Sequence, residues 1–332
     1  MPKIVRFHSI GGPENLTLED LPSREPGNGE VKLRVQAVGL NRAEDLFMRG
    51  LYSETPELPS RIGYEASGIV ESVGPGVNAG WVGKKVATVP GFSMSKNGVL
   101  GDEAIVPEAV LGEYPAKLSP VEAAAIWMQY LTAHGALVTF GQLKPGEFVL
   151  ITAASSSVGL AAIQIVNAEG AISIATTRKS NKRAELLALG AAHVIATEEE
   201  DEEDLVAKVN EITGGKGTRL VFDPVGGPGI EKLVQATAYQ GTIFVYGLLS
   251  MQPTPFPTRG VLWKGISMRG YSLMEIRRDP QLLKSAKQYV FDRLSDGRFH
   301  PKIAKTFPLA QSRQAYEYLE SNQQVGKVVI TV

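Results

Sequence analysis

No cysteine occurs among the 332 residues, so disulfides, iron–sulfur clusters, four-cysteine zinc lobes and thiol nucleophiles are excluded together. Histidine is scarce as well: His8, His134, His193 and His300 are scattered with no pair at metal-ligand spacing, and no metal is expected. The formal net charge is only −1, which removes the electrostatic reason to expect nucleic acid or an anionic membrane as a partner. Long apolar runs are missing too. The opening MPKIVRFHSIGGPENLTLED has no uninterrupted apolar segment, and the most apolar later stretch, AAAIWMQYLTAHGALVTF, is broken by Gln129, His134 and Gly135. Neither a signal peptide nor a transmembrane span is expected, and the expected location is cytoplasmic.

What is present is 43% hydrophobic and 21% charged, enough apolar chain for two domains with a core each. Up to about residue 118, short β-branched runs (VKLRVQAVGL, SGIVESVG, KKVATVPG, EAIVPEAVL) alternate with turn residues, the pattern of a compact, mostly antiparallel β domain. SPVEAAAIWMQYLTAHGALVTF then opens with the Ser-Pro-x-Glu start of a helix. Beyond Gly146, apolar strands alternate with helical segments: FVLITA, VGLAAIQIVNAEG, AISIATT, NKRAELLALG, HVIAT, RLVFDPVG, GIEKLVQATA, GTIFVYG. Fully apolar strands separated by helices imply an α/β fold with a doubly wound parallel sheet. The acidic run EEEDEED reads as the solvated start of a helix. A helix in DPQLLKSAKQYVFDRLSDG and a closing strand in GKVVITV complete the chain. The expected division is a discontinuous β-rich domain, 1–120 with 270–332, around a Rossmann cofactor domain, 121–269.

The stretch VLITAASSSVGLAAIQIV places a serine-rich turn between a strand and a helix, where backbone N–H groups and the helix dipole favour a phosphate. Against the dinucleotide fingerprint G-x-G-x-x-G the three positions are Ala154, Ser156 and Gly159, and only the glycine needed for close helix–strand packing survives. Hydroxyls of Ser155, Ser156 and Ser157 can donate to pyrophosphate oxygens or cap the helix. The next strand ends in Thr176, Thr177, Arg178, Lys179, Ser180, Asn181, Lys182 and Arg183, with no carboxylate before Glu185. An acid there would select a ribose 2′-hydroxyl, whereas cations and hydroxyls attract a 2′-phosphate. The expected cofactor is NADPH.

AVGLNRAEDLFMRGLY, RIGYEASGIVESVGPGV, the AASSSVG turn, FDPVGG, GTIFVYG and the closing GKVVI, in this order, resemble the medium-chain dehydrogenase/reductase superfamily over nearly the whole length. The likeness is to its zinc-free quinone oxidoreductase, zeta-crystallin-like branch, which implies a GroES-like catalytic domain beside the Rossmann domain. Where zinc alcohol dehydrogenases of the superfamily carry ligands, this chain has Asn41, Tyr64 and, near the third position, Met128. The resemblance further implies Asn41, Tyr52 and Tyr64 in the catalytic cleft. It implies Thr132, Ser155, Ser156, Ser157, Val158 and Gly159 along the pyrophosphate and nicotinamide, and Thr177, Arg178 and Lys182 at the 2′-phosphate. Tyr246 and Gly247 follow the strand that ends at the nicotinamide, and Gly326 and Lys327 close over the cofactor. Arg49 and Trp127 are weaker candidates. A homodimer joined through the strand in GISMRGYS is implied as well.

Without a metal to polarise a substrate oxygen, hydride must go to an acceptor that is already electrophilic. Quinones and α,β-unsaturated carbonyls qualify, and the protein supplies alignment and hydrogen bonds to the developing oxyanion. Tyr52 and Tyr64 are the expected phenol donors, with Asn41 as an amide donor. Other reductase and hydrolase chemistries find no support. No tyrosine has a lysine four residues on, Tyr289 with Arg293 coming nearest, and the serine turn lacks the spacing of a nucleophile elbow. The alternatives are a zinc-independent carbonyl reductase or alcohol dehydrogenase, or a non-catalytic NADPH-binding protein.

Overall fold

A computed structural model describes residues 1–197 and 204–332. It divides into two compact units, Met1–Met128 with Phe291–Val332, and Gln129–Val290. Both boundaries lie later in the chain than composition places them, for identifiable reasons. The start of the Trp127 segment is tied to the first unit, because the Glu65 carboxylate accepts the N–H groups of Ile126 and Met128, both at 3.0 Å. The helix Pro280–Ser295 is tied to the second, where the Tyr289 hydroxyl donates to Glu169 at 2.7 Å.

In the first unit a seven-stranded sheet runs in the order Ile303–Pro308, Lys327–Thr331, Glu30–Gly39, Glu65–Val73, Lys85–Thr88, Leu111–Gly112, with Glu103–Pro107 also paired to Glu30–Gly39. All pairings except the first are antiparallel, as alternation at period two predicts. Leu33, Val38, Phe47, Ile62, Val70 and Val86 fill its core. Two elements carry no clear sequence signal: the strand Ile303–Pro308 and the helix Ser312–Glu320.

The second unit holds six parallel strands ordered His193–Ala196, Ile172–Thr177, Phe148–Ile151, Thr218–Asp223, Thr237–Val245, Ser267–Gly270. Numbered along the chain this is 3-2-1-4-5-6, the doubly wound dinucleotide-binding order. Leu150, Ile174, Val221 and Ile243 are at most 1% exposed, since helices cover both faces.

The single helix expected after Ser119 is interrupted. Ser119 and Glu122 form a capping box, but the helix ends at Ala123 and a second runs Trp127–His134, continuing as a π-helical turn Gly135–Phe140. Glu65 supplies the reason, because its carboxylate takes the N–H groups that a continuous helix would spend on its own carbonyls. Of EEEDEED, residues 198–203 lie outside the described residues. Asp204 caps the helix Leu205–Thr213 by accepting from Val206 and Ala207 at 2.9 and 3.2 Å. Among the described residues no helix is long and apolar enough to cross a membrane.

Candidate functional site

In a doubly wound sheet, ligands sit outside the carboxyl ends of the strands where the strand order reverses. Here that point lies between Phe148–Ile151 and Thr218–Asp223. Thr152, just past the first strand, and Asp223, the last residue of the second, are hydrogen-bonded across it, Thr152 Oγ1 donating to Asp223 Oδ1. Asp223 is fully buried and also accepts the N–H groups of Val225 and Gly226 at 3.1 and 2.9 Å. This pair escaped sequence reasoning, although FDPVGG is conspicuous as a strand-then-turn signal.

The serine turn follows Thr152. Ala153 has φ 46°, the left-handed region that non-glycine residues seldom occupy. The three serines divide their work. Ser156 is the N-cap of the helix Ser157–Ala168, its hydroxyl accepting from Gly159 N at 3.0 Å. Ser155 Oγ accepts from Lys182 Nζ at 3.1 Å, which brings a cation onto the turn. Ser157 and Val158 open the helix, where N–H groups lack intrahelical partners. A Cβ on Gly159 would lie 2.6 Å from the Cα of Ala154, so the helix approaches the strand as closely as the fingerprint's last glycine requires.

Thr177, the last residue of its strand, is nearly buried, while Arg178 stands exposed beyond it. Burial and the Arg178 charge push the Lys182 pKa down from its ordinary value, so this ammonium gains from an anion. Hydroxyls, a helix N-terminus and two cations fit a phosphorylated dinucleotide. In the same unit, Thr132 is buried in the helix Trp127–His134. Tyr246 lies one residue past Thr237–Val245, its ring stacked on Phe222 at 3.9 Å and 17° and its hydroxyl oxygen buried with no hydrogen-bond partner. Gly247 comes next along the same turn.

In the first unit the structure gathers Asn41, Tyr52, Tyr64 and Lys327 around charges that the sequence reading did not single out. Lys327 is 1% exposed and Glu65 fully buried, and their charges meet at 2.7 Å. Lys327 Nζ also donates to Asn41 Oδ1 at 2.6 Å. The Asn41 amide nitrogen donates to Gly39 O at 3.0 Å and to Glu44 Oε1 at 3.3 Å. Both donors of that amide and one of its oxygen's two acceptor sites are therefore spent inside the unit. Its orientation follows from chemistry, because only the oxygen can face an ammonium.

Glu44 is fully buried and receives four donors. Asn41 Nδ2 and Tyr64 N reach Oε1 at 3.3 and 3.1 Å, and Asn41 N and the Tyr316 hydroxyl reach Oε2, both at 2.9 Å. Burial pushes its pKa up against these bonds and the Lys327 charge. The Asn41-x-x-Glu44 spacing of a capping box was the available sequence signal. The Tyr52 and Tyr64 rings meet edge to face at 6.1 Å and 68°. Tyr64 is 3% exposed and Tyr52 half-buried. Burial raises both phenol pKa values, which keeps them protonated as hydrogen-bond donors.

Gly326 has φ 108°, and a Cβ there would meet Lys302 O at 2.4 Å, so its glycine has a backbone reason. Arg49 is taken up by Asp45 and Glu320, at 2.8 and 2.6 Å, and Trp127 is 1% exposed. Among the described residues no group of three or more His, Cys, Asp or Glu side chains is placed to hold a metal ion.

Comparison with known proteins adds to this geometry. Residues 27–137 match the alcohol dehydrogenase GroES-like domain and residues 157–288 the zinc-binding dehydrogenase domain. Quinone oxidoreductase 1 of Escherichia coli K12 is 32% identical, over 98% of this chain and 98% of that protein. A 2-haloacrylate reductase of Burkholderia sp is 30% identical over 98% of this chain and 97% of its own length. Among solved structures, Escherichia coli quinone oxidoreductase complexed with NADPH superposes with a TM-score of 0.90 at 29% identity, covering 99% of this chain and 100% of that one.

Proposed function

This chain belongs to the medium-chain dehydrogenase/reductase superfamily, in its quinone oxidoreductase branch, and on that footing we propose that it transfers hydride from NADPH, without zinc, to a quinone or an α,β-unsaturated carbonyl. The observation that carries the reading is the cation held on the serine turn, Lys182 on Ser155, with Arg178 beside it and no acid at the end of that strand. NADPH, when bound, supplies the hydride. Ser155, Ser157 and the helix N–H groups donate to the pyrophosphate, while Thr177, Arg178 and Lys182 meet the 2′-phosphate. Gly159 lets the helix sit close, and Thr132, Val158, Tyr246 and Gly247 line the nicotinamide side.

Tyr52 and Tyr64 offer hydrogen bonds to the negative charge that hydride delivery leaves on the acceptor's oxygen, a contribution of roughly 2.7–4 kcal/mol per well-aimed donor. Asn41 and Lys327 serve differently from the sequence expectation: with their polar atoms joined to each other, they hold the phenol region in place, and Gly326 shapes the turn that delivers Lys327. The acceptor needs its own electrophilicity, which suits conjugated carbonyls and not simple alcohols.

The proposal extends to a homodimer. Ser267–Gly270 is one open edge of the parallel sheet, and Phe256, Leu262 and Trp263, shortly before it in the chain, are 61%, 73% and 64% exposed, apolar groups suited to meeting a second copy. Light scattering at micromolar concentration should give twice the monomer mass, and a stable monomer would refute it.

Oxidation of NADPH and of NADH with 1,2-naphthoquinone, an enone panel and simple aldehydes tests the activity. Turnover of quinones or enones with NADPH preferred supports the reading. Turnover of unconjugated aldehydes alone would make the protein a carbonyl reductase, and cofactor binding with no turnover on any acceptor would make it a binding protein.

A further inference from the structure

Burying an anion is costly, and replacing a buried ionic group with a well-packed apolar one is often neutral or stabilising. Glu44 is such a group: fully buried, with its pKa raised by burial, and with the nearest ammonium, Lys327, already paired to Glu65. Stability alone does not account for it. What the carboxylate does achieve is geometric, since its four donors come from three separate segments: Asn41 at the start of a helix, Tyr64 at the entry to a strand, and Tyr316 on a helix near the chain's end.

We propose that Glu44 is a positioning residue for the reduction, fixing the backbone of Tyr64 and the amide of Asn41 so that the Tyr64 phenol is aimed at the acceptor's oxygen. The main chain of Tyr64 is held on both sides, its N–H by Glu44 Oε1 at 3.1 Å and its carbonyl by the Thr88 hydroxyl at 3.0 Å. Its ring is held edge to face between Tyr52 and Phe92, the latter at 5.3 Å and 82°. With the backbone and ring walls both set, the hydroxyl has little freedom left. Lys327 completes the arrangement by facing the Asn41 oxygen, which turns the amide nitrogen toward Glu44 and Gly39. Glu44 touches no reacting atom in this scheme and acts wholly through Tyr64.

The two carboxylate oxygens are not equivalent. Both donors on Oε1 are N–H groups that cannot reverse, whereas on Oε2 the Asn41 N–H is likewise fixed and only the Tyr316 hydroxyl can turn to accept. A glutamine that keeps its oxygen toward Tyr64 turns its amide toward Tyr316 but also against the Asn41 N–H, so Glu44→Gln should retain the Tyr64 contact and only part of the function. Glu44→Met preserves volume and removes both acceptors.

The inference rests on the proposed enone reduction by phenol donors, and the test separates the two. Single-turnover enone and quinone rates are measured for the unaltered protein, Tyr64→Phe, Glu44→Met, Glu44→Gln and the Tyr64→Phe/Glu44→Met double variant. Tyr64→Phe should slow enone reduction about a hundredfold and quinone reduction less. Glu44→Met should approach the same loss, fall no further in the double variant, and leave the NADPH Kd within about threefold, while Glu44→Gln, which keeps the acceptor for the Tyr64 N–H, falls between Glu44→Met and the unaltered protein. A parental enone rate in Tyr64→Phe, or no enone turnover by the unaltered protein, would overturn the phenol reading and this inference with it. A slow Tyr64→Phe beside a parental Glu44→Met, or losses that multiply in the double variant, would overturn the inference alone. So would a Glu44→Gln no faster than Glu44→Met, since the acceptor that it keeps for the Tyr64 N–H would then not matter. Should Glu44→Met fail to fold, Tyr316→Phe decides: it takes one donor from the carboxylate without opening a cavity, should slow enone reduction several-fold with quinone reduction unchanged, and overturns the inference if both rates are parental.

Discussion

Around Glu44 and Lys327 in the first unit, every polar atom described finds its partner inside the protein: four donors on one carboxylate, an ammonium shared between Glu65 and Asn41. At the serine turn of the second unit the groups lie nearer the surface, with Arg178 exposed, Lys182 half-buried and donating to the Ser155 hydroxyl, and the first N–H groups of a helix at hand. A self-satisfied cluster has nothing left to offer a ligand and serves to hold geometry. A cluster that keeps cations and helix N–H groups near the surface gains when an anion arrives. The same residue type, lysine, thus has opposite meanings in the two units.

The largest expected effect would come from breaking the first cluster. Lys327→Met leaves the Glu65 carboxylate buried without a cation, which should cost about 3–5 kcal/mol in urea-unfolding stability; a loss under about 1 kcal/mol would mean that the cluster holds nothing. Next, Gly159→Ala sharpens the contrast on the other side. Its Cβ would press on the Ala154 backbone at 2.6 Å, so overpacking should cost about 1–3 kcal/mol and displace the turn, weakening NADPH binding by calorimetry. Replacing Arg178 and Lys182 together with alanine should weaken NADPH by at least about tenfold, roughly 1.4 kcal/mol, and leave NADH nearly untouched. Its stability change should stay within about 0.5 kcal/mol. Equal losses for both cofactors, or destabilisation approaching that of Lys327→Met, would erase the distinction between the two clusters. The smallest effect is expected from a chelator, which should alter neither activity nor Tm. One tightly held zinc per chain, with activity lost on its removal, would contradict the zinc-free reading.

The parallel sheet was legible because its strands are buried on both faces and so carry unbroken apolar runs such as FVLI and the LVF of TRLVFD. Ile303–Pro308 was not, because four of its six positions are only partly covered or exposed in no alternating order before its last buried residue, Phe307. At the site, the serine turn and Arg178 with Lys182 were legible because their chemistry is local in sequence. The Glu44 network was not. Its partners lie 272 residues away at Tyr316, and Lys327 stands 286 residues from Asn41 and 262 from Glu65, separations at which no pattern of spacing signals contact. The interruption of the helix at Ala124–Ile126 has the same origin, a distant carboxylate outbidding local propensity.

Those separations also set an order of events during synthesis. A chain emerging from the ribosome presents Glu65 and Asn41 early, yet the ammonium that neutralises one and orients the other belongs to Lys327, on the strand Lys327–Thr331 that is made 262 residues after Glu65. The six-stranded unit, continuous from Gln129 to Val290, has all its residues in hand well before then. The first unit holds an uncompensated carboxylate until the strand that follows Gly326 has been made, so it can be completed only after every residue of the six-stranded unit exists.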